Sequence, residues 1–165
     1  MKNIIFLDVD GVLNDENYIV KCYERHHQPM SMNFVPFNPR SLNNLRILYD
    51  MILEDGNEPL VVLSSTWRLH ETDILVLNAR LAEYGIYIKE ITPYIHSNRG
   101  VEIISYLEEH QLTDTPFCIL DDDNFDIINQ KSLVPHFINI NRKRGLVKQN
   151  INKAINILRN EGGLI

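Results

Sequence analysis

Two aspartates separated by one residue are the clearest sign of chemistry in this sequence. Asp8 and Asp10 come directly after an apolar run and are followed by Gly11. At the end of a strand, residues two apart project to the same side, so both carboxylates would face one small volume. Such a pair can bind a hard cation through oxygen ligands, or it can supply a nucleophile and a general acid/base. The alternative is an acidic turn that only closes a strand.

The same aspartates do not begin a calcium-binding EF-hand loop. A loop of that type starting at Asp8 would need an oxygen-bearing side chain at Val12 and glycine at Leu13. It would also need glutamate in place of Ile19 and a helix before the loop, whereas residues 4–7 are typical of a buried strand. The metal-binding and catalytic interpretations of the pair therefore remain.

A group of hydroxyl side chains follows another apolar run. Ser64 and Ser65, with the backbone N–H groups after them, can bind an anion without carrying charge, although the same residues are typical of a helix cap. Trp67 and Arg68 come next in the chain. Arg68 is permanently charged, so it could contact a substrate or lie solvated on a helix face.

Two further charged features lie farther along the chain. Arg99 is predicted to open a helix, where its guanidinium could turn into a site or lie on the surface. Asp121, Asp122, Asp123 and Asp126 place four carboxylates within six residues. Carboxylates so close repel one another unless a cation compensates them, so a divalent metal is one explanation and a solvated acidic loop is the other.

The elements that would position these residues are predicted to alternate. Apolar runs typical of buried strands occur at Ile4–Leu7, Leu60–Leu63, Ile86–Ile88, Phe117–Leu120 and His136–Ile140. Residues with helical spacing lie between them, which predicts parallel βαβ units and an open α/β sheet of about five strands flanked by helices. Ligands bind such sheets at the carboxyl ends of the strands. Residues 15–37 show no clear period, and we expect them to form a small flap after the first strand.

Composition limits the class of protein. The chain has 165 residues, which fits one domain over residues 1–165, and its net charge is −6, which disfavours nucleic acid and anionic membranes as partners for the molecule as a whole. Its two cysteines lie far apart, and no apolar run is long enough for a signal peptide core or a membrane span. We therefore expect a cytoplasmic protein with no membrane partner.

The order of the polar groups resembles a known superfamily. The four motifs of the haloacid dehalogenase (HAD) phosphohydrolases are, in chain order, a pair of acids, a hydroxyl side chain, a single basic side chain and a second group of acids. The polar groups of this sequence follow the same order. Residues 8–14 resemble the first motif, Ser64 the second, Arg99 the third, which is often lysine, and Asp121-Asp122 the fourth. Three features further resemble the HAD domain of Swiss Army Knife RNA repair proteins: residues 64–68, the strand-ending Leu120-Asp121-Asp122, and Gly145-Leu146 downstream.

The resemblance implies a Rossmann-like fold without a large cap and a phosphatase that uses Mg²⁺. Asp8 would attack phosphorus to give an aspartyl-phosphate, and Asp10 would act as general acid and base. Mg²⁺ would be held by the Asp8 carboxylate, the Asp10 main-chain carbonyl and Asp122, with Asp121 reached through water. The resemblance leaves open which acid of Asp121, Asp122 and Asp123 binds the ion directly. The residues expected to bind the phosphate are Ser64, Ser65, Arg99 and Gly11, and those that could contact the rest of the substrate are Asn14, Trp67 and Arg68.

The resemblance leaves the substrate open. Members without a large cap often act on macromolecules, and a cluster of positive charges could follow a nucleic-acid end: Arg142, Lys143, Arg144, Lys148 and Lys153. A solvated basic helix start explains the same cluster. Phosphoproteins and small phosphoesters are equally open, and a module that binds phosphate or Mg²⁺ without turnover is the non-enzymatic alternative. A receiver domain is disfavoured, because it needs an aspartate at the end of the third strand in its order, and the candidate strands here end in Ser64 or in a triple acid.

Overall fold

The fold is built on one parallel sheet. The computed structural model describes residues 1–26, 36–124 and 126–161. Its strands are β1 (Lys2–Leu7), β2 (Glu58–Leu63), β3 (Glu90–Ile91), β4 (Phe117–Asp121) and β5 (Phe137–Asn139), in the spatial order β3-β2-β1-β4-β5. Every pairing between neighbouring strands is parallel. The α/β class and the open sheet predicted from the sequence are confirmed.

Helices cover both faces of the sheet. They are α1 (Glu16–His26), α2 (Pro39–Glu54), α3 (Glu71–Ala82), α4 (Arg99–Glu109) and α5 (Lys148–Glu161), with short 3₁₀ helices at Thr66–Leu69 and Val134–His136. The start of α2 shows why the sequence folds this way, since Asn38 accepts a hydrogen bond from the amide of Arg40 and Pro39 occupies the first turn. Within the described ranges, no helix has the length and apolar character that crossing a membrane requires.

The alternation of side chains along β1 divides the core in two. Ile5 and Leu7 pack on the face covered by α2, α3 and α5, and Ile4 and Phe6 pack on the face covered by α4. All four side chains are fully buried. A strand that is buried on both faces reads as a continuous apolar run, which is the pattern that predicted it.

The register of the sheet brings the polar strand ends together. Leu7 pairs with Leu63 on one side and with Leu120 on the other. The amide of Asp8 donates to the carbonyl of Leu120 at 3.0 Å, and the amide of Ser64 donates to the carbonyl of Leu7 at 3.0 Å. The first residues beyond β1 and β2 and the last residue of β4 therefore meet at one edge of the sheet.

The strand predicted at Ile86–Ile88 is wrong. Those two isoleucines are buried, but the backbone of Ile88 bonds to the side chain of Asn78, with its amide 2.8 Å from Asn78 Oδ1. The edge strand instead lies at Glu90–Ile91, which pairs with Val62 and Leu63. The apolar residues anchor the connection, and the pairing falls on the two residues that follow it.

The segment predicted to be an irregular flap contains a helix. α1 occupies Glu16–His26, where the side chains of Tyr18 and Cys22 are only partly buried and that of Val20 is exposed. A helix with no fully buried stripe gives a weak periodic signal in the sequence. Residues 27–35 of the predicted flap lie outside the described residues. Between Thr66 and Arg99 the chain forms only a 3₁₀ helix, α3 and β3, so no large cap is inserted there.

Candidate active site

Three carboxylates meet at the carboxyl edge of the sheet. Asp8 follows β1, Asp121 ends β4 and Asp122 comes next, and one oxygen from each lies within 4.8 Å of the other two. Asp8 is 5% exposed and Asp121 is 3% exposed. The amide of Asp123 donates to Asp121 Oδ1 at 2.9 Å, which fixes the turn after β4.

Two arginines offset part of this negative charge. Arg99 Nη1 lies 3.1 Å from Asp8 Oδ1 and 2.6 Å from Asp121 Oδ2. Arg142 Nε lies 3.1 Å from Asp122 Oδ2. Arg99 bridges the two buried carboxylates, while the more exposed Arg142 borders the third.

Burial makes the charged forms of these acids unfavourable. It raises the pKa of Asp121 to about 8, and the neighbouring charge of Asp8 adds to the effect. Burial also raises the pKa of Asp8, although Arg99 and a hydrogen bond from the Ser65 side chain oppose it. The pKa of Asp122 is raised by burial and opposed by Arg142. Three crowded carboxylates with raised pKa values are a donor set that fits a hard divalent cation, whose charge would favour their ionised forms.

Ser65 and Ser64 have different environments. The side chain of Ser65 lowers the pKa of the Asp8 carboxyl, and it caps the following 3₁₀ helix by accepting from the amide of Trp67 at 3.4 Å. Ser64 is fully buried, and its hydroxyl has no hydrogen-bond partner among the described residues. The structure thus brings Ser65 to the nucleophile candidate, whereas the sequence pointed first to Ser64.

The start of α4 directs Arg99 into the cluster. Asn98 caps the helix by accepting from the amide of Val101 at 3.1 Å. Gly100 lets the helix pack against the segment after β4, because a Cβ there would lie only 2.8 Å from the carbonyl oxygen of Asp126. This close packing carries Arg99 to the side chains of Asp8 and Asp121.

Comparison with models of known protein families identifies the family of this chain. The family model of the HAD domain in Swiss Army Knife RNA repair proteins matches residues 4–151. The chain belongs to this family. Membership implies hydrolase or phosphatase chemistry in general, and HAD proteins typically use a metal ion, for which the three aspartates form a candidate site. A search of curated proteins found no match.

Gly11 of this HAD domain leaves space for the side chain of Asp122, because glycine has no Cβ. Its φ is +77°, and a Cβ there would clash with Asp122 Oδ2 and lie 3.0 Å from Arg142 Cβ. Its amide donates to Asn14 Oδ1 at 3.0 Å. A side chain at position 11 would therefore displace Asp122, and the amide predicted to bind phosphate has an internal acceptor.

Asp10 lies at the rim of the site and is exposed, unlike Asp8. Asn14 Nδ2 donates to Asp10 Oδ1 at 2.6 Å, and Trp67 Nε1 donates to Asp10 Oδ2 at 3.0 Å. Asn14 and Trp67, predicted as substrate contacts, therefore lie beside the second aspartate of the pair.

Arg68 is buried, so the interpretation of it as a solvated residue on a helix face is wrong. Its side chain is 3% exposed and forms an ion pair of 2.5 Å with Glu102. Its guanidinium also donates to the backbone carbonyls of Ser64, Ser65, Thr92 and Pro93. Every guanidinium nitrogen thus has an acceptor within the protein.

Sequence reasoning missed two partners of the site residues. Glu102 is 1% exposed on the apolar face of α4, and its Oε1 accepts from the amide of Ile95 at 2.9 Å. A glutamate on the buried side of a predicted helix, next to Ile103, is a signal that could have identified it. The sequence places Arg142 in the basic cluster, and nothing in it indicates the contact with Asp122.

Proposed function

We propose that this protein is a Mg²⁺-dependent phosphatase that hydrolyses a phosphomonoester through an aspartyl-phosphate on Asp8. The observation that carries the proposal is the buried Asp8 carboxylate in contact with Arg99 and within 4.8 Å of two further carboxylates. A nucleophile, a fixed cation and a hard oxygen donor set are what phosphoryl transfer requires, since its catalysis is largely positioning and charge stabilisation.

We assign the roles that the family resemblance implies, and the positions of the side chains support them. An oxygen of Asp8 bonds to phosphorus while the ester oxygen leaves and takes a proton from Asp10. Water then bonds to phosphorus, gives a proton to Asp10 and displaces the Asp8 carboxylate. Arg99, which contacts Asp8, and the Ser65 hydroxyl, which lowers the pKa of that carboxyl, bind the transferred phosphoryl oxygens.

Asp8, Asp121 and Asp122 are the residues that would hold Mg²⁺ through their carboxylates, with the Asp10 carbonyl as the proposed main-chain ligand. When bound, the ion neutralises charge on the phosphoryl oxygens and on the carboxylates around them. The acids of this site thus supply the oxygen ligands that Mg²⁺ prefers.

The test is turnover of p-nitrophenyl phosphate with Mg²⁺. We expect Asp8→Asn to reduce turnover to background, and acid-quenched wild-type protein to carry a phosphate that mass spectrometry locates on Asp8. Asp114→Asn is the matched control, because Asp114 is an exposed acid just before β4, at the opposite end of that strand from the site. Undiminished turnover in Asp8→Asn would contradict the nucleophile assignment.

Removal of metal gives a second test of the same proposal. Chelation should abolish turnover, and Mg²⁺ should restore it. Beryllium fluoride, a phosphate mimic, should raise the thermal unfolding midpoint only when Mg²⁺ is present. Phosphate binding without any turnover would instead support the non-catalytic alternative.

A nucleic-acid end is a second candidate for the substrate class. Arg142, Lys143 and Arg144 are exposed, and Arg142 contacts Asp122 within the carboxylate cluster, so this basic loop borders the site itself. The family name refers to RNA repair proteins. We expect 3′-phosphorylated RNA oligonucleotides to be hydrolysed faster than phosphopeptides or small phosphoesters.

The basic loop can be tested apart from the chemistry. The double variant Lys143→Ser with Arg144→Ser should raise the KM for the oligonucleotide and leave turnover of p-nitrophenyl phosphate unchanged. The difference from wild type should shrink at high salt, because phosphate contacts are screened. An oligonucleotide KM that does not change would argue against this substrate class.

A further inference from the structure

Asp10 is held more tightly than its exposure suggests. An exposed aspartate can usually rotate freely in solvent, but both carboxylate oxygens of Asp10 accept hydrogen bonds. Asn14 Nδ2 is 2.6 Å from Oδ1, and Trp67 Nε1 is 3.0 Å from Oδ2. The two donors come from different parts of the chain, so they fix the carboxylate from two directions.

Asn14 is itself fixed before it reaches Asp10. It is 3% exposed, and its Oδ1 accepts from the amide of Gly11 at 3.0 Å. The amide group of Asn14 thus bridges the backbone of the turn after β1 and the side chain of Asp10. This arrangement leaves little freedom for either residue.

Trp67 is also fixed by the protein. Its ring meets that of Phe37 edge-on, with centroids 5.4 Å apart, and its amide is capped by Ser65. The indole N–H is a donor only, so the Asp10 oxygen facing it must accept. Among the described residues, Asp10 is the acceptor of that N–H.

We propose that Trp67 and Asn14 are positioning residues that hold the Asp10 carboxylate for its two proton transfers. The inference rests on the proposed function and deepens it, since neither residue needs to touch the phosphate. A group that must meet the leaving oxygen in one step and water in the next gains from a fixed orientation.

Trp67→Phe tests this with two substrates that differ mainly in their leaving group. The variant keeps the aromatic ring and removes the N–H. Loss of general-acid positioning should slow phenyl phosphate more than p-nitrophenyl phosphate, because the poorer leaving group depends more on proton donation. We expect kcat/KM for phenyl phosphate, divided by kcat/KM for p-nitrophenyl phosphate, to fall by about tenfold in the variant. This is smaller than the roughly 10²–10⁴-fold that a general acid contributes in total. KM should not change.

Tyr87→Phe is the control. It removes a hydrogen-bond donor from an exposed aromatic ring that precedes β3, at the opposite end of that strand from the site, so the substrate ratio should stay at the wild-type value. An equal loss on both substrates in Trp67→Phe, or an increase in KM alone, would mean that the residue acts in packing or substrate binding. Either result would overturn the positioning role.

Nuclear magnetic resonance gives a readout that does not depend on turnover. The chain has one tryptophan, so its indole ¹H–¹⁵N signal is assigned by inspection. Asp10→Ala should shift that signal and speed its exchange with solvent, while Asp114→Asn should leave it in place. A signal that does not move in Asp10→Ala would overturn the inference whatever the activity.

Asp10→Asn separates the inference from the proposed function. If this variant turns over both substrates at the wild-type rate, the acid/base role of Asp10 fails and the positioning role fails with it. If Asp10→Asn is impaired and Trp67→Phe is not, only the positioning role is overturned.

Discussion

Arg68 and Arg99 are both charged side chains near the same edge of the sheet, but their surroundings differ. The side chain of Arg68 is 3% exposed, and its nitrogens donate to four backbone carbonyls and to Glu102. The side chain of Arg99 is 18% exposed, and its hydrogen bonds to described residues all come from Nη1, which contacts Asp8 and Asp121.

The surroundings affect the two guanidinium groups in opposite directions. Burial lowers the pKa of Arg68, and Glu102 opposes this. Burial would also lower the pKa of Arg99, but Asp121 and Asp8 together raise it. Both arginines stay charged under ordinary conditions. The two differ in the type of acceptor. Arg68 donates mainly to neutral backbone carbonyls, whereas Arg99 donates to carboxylates.

The difference in acceptors indicates a division of labour, in which Arg68 stabilises the fold around the site and Arg99 serves the proposed chemistry. Arg68 joins the segment after β2, which carries Ser65 and Trp67, to the Thr92-Pro93 segment and to Glu102 in α4. It thereby stabilises the framework on which Ser65 and Arg99 are placed. Arg99 keeps donors that are not used within the described residues, so it can bind a phosphoryl group while it stays near Asp8. We expect substitutions at the two positions to affect different properties.

The largest expected effect is on turnover, in Arg99→Met. Removal of the guanidinium leaves the Asp8 and Asp121 carboxylates without their shared cation and removes a donor to the phosphoryl oxygens. We expect kcat/KM for p-nitrophenyl phosphate to fall by about 10²–10³-fold, as for loss of one transition-state donor. Steady-state kinetics at saturating Mg²⁺ measures this. Arg159→Met, an exposed arginine on α5, is the control, and a loss of similar size there would show that the effect is not local.

The second expected effect is on stability, in Arg68→Met. The substitution leaves Glu102 buried without its cation and leaves backbone carbonyls without donors. Breaking a buried ion pair by removing one partner typically costs about 3–5 kcal/mol. Urea unfolding followed by circular dichroism measures the change in the free energy of unfolding.

Arg68→Met with Glu102→Leu is the matched double variant. Since it removes both charges, it should recover part of the lost free energy. A double variant less stable than either single variant would show that Glu102 has a second role that outweighs the ion pair.

Exchange for lysine sharpens the comparison further. Arg99→Lys keeps a cation near Asp8 and Asp121, and we expect it to retain turnover within about tenfold. Arg68→Lys cannot reach all the acceptors of the planar guanidinium, and we expect it to lose about 1–3 kcal/mol for the buried carbonyls left without donors. Kinetics and urea unfolding of both variants measure the two outcomes. If Arg99→Lys and Arg68→Lys changed turnover equally and also changed the free energy of unfolding equally, this division of labour would be contradicted.

The candidate site was predictable where local pattern and topology suffice. Asp8, Asp121 and Asp122 follow apolar runs, and parallel strands collect their carboxyl ends at one edge, so their proximity follows from the strand assignments. The position of Arg99 at a helix start was also predictable, because it follows the helix cap Asn98.

The network around Arg68 was not predictable in the same way. Its partners lie 24 and 34 residues away, at Thr92 and Glu102, and three-dimensional packing brings them together. The edge strand was misplaced for a similar reason, because Ile86 and Ile88 are buried without pairing to β2. Burial and strand pairing usually coincide in a sheet, but at this edge they are separated.

The smallest expected effect extends the comparison to an exposed arginine. The side chain of Arg159 is 50% exposed and bonds to both oxygens of Asp55, at 2.7 and 3.0 Å. The hydrogen bond from Arg159 lowers the pKa of Asp55. The pair therefore stabilises the protein above the pKa of the unfolded carboxyl, about 3.9, and this contribution is lost as pH falls through the lower folded value.

Asp55→Asn tests this, and its effect should be smaller than that of any substitution at Arg68, because water screens an exposed pair. Thermal unfolding midpoints of wild type and variant should differ slightly at about pH 7, and the difference should shrink toward about pH 3 and in high salt. A decrease in midpoint as large as that of Arg68→Met, or one that grows as pH falls, would show that burial does not decide what an arginine contributes to this fold.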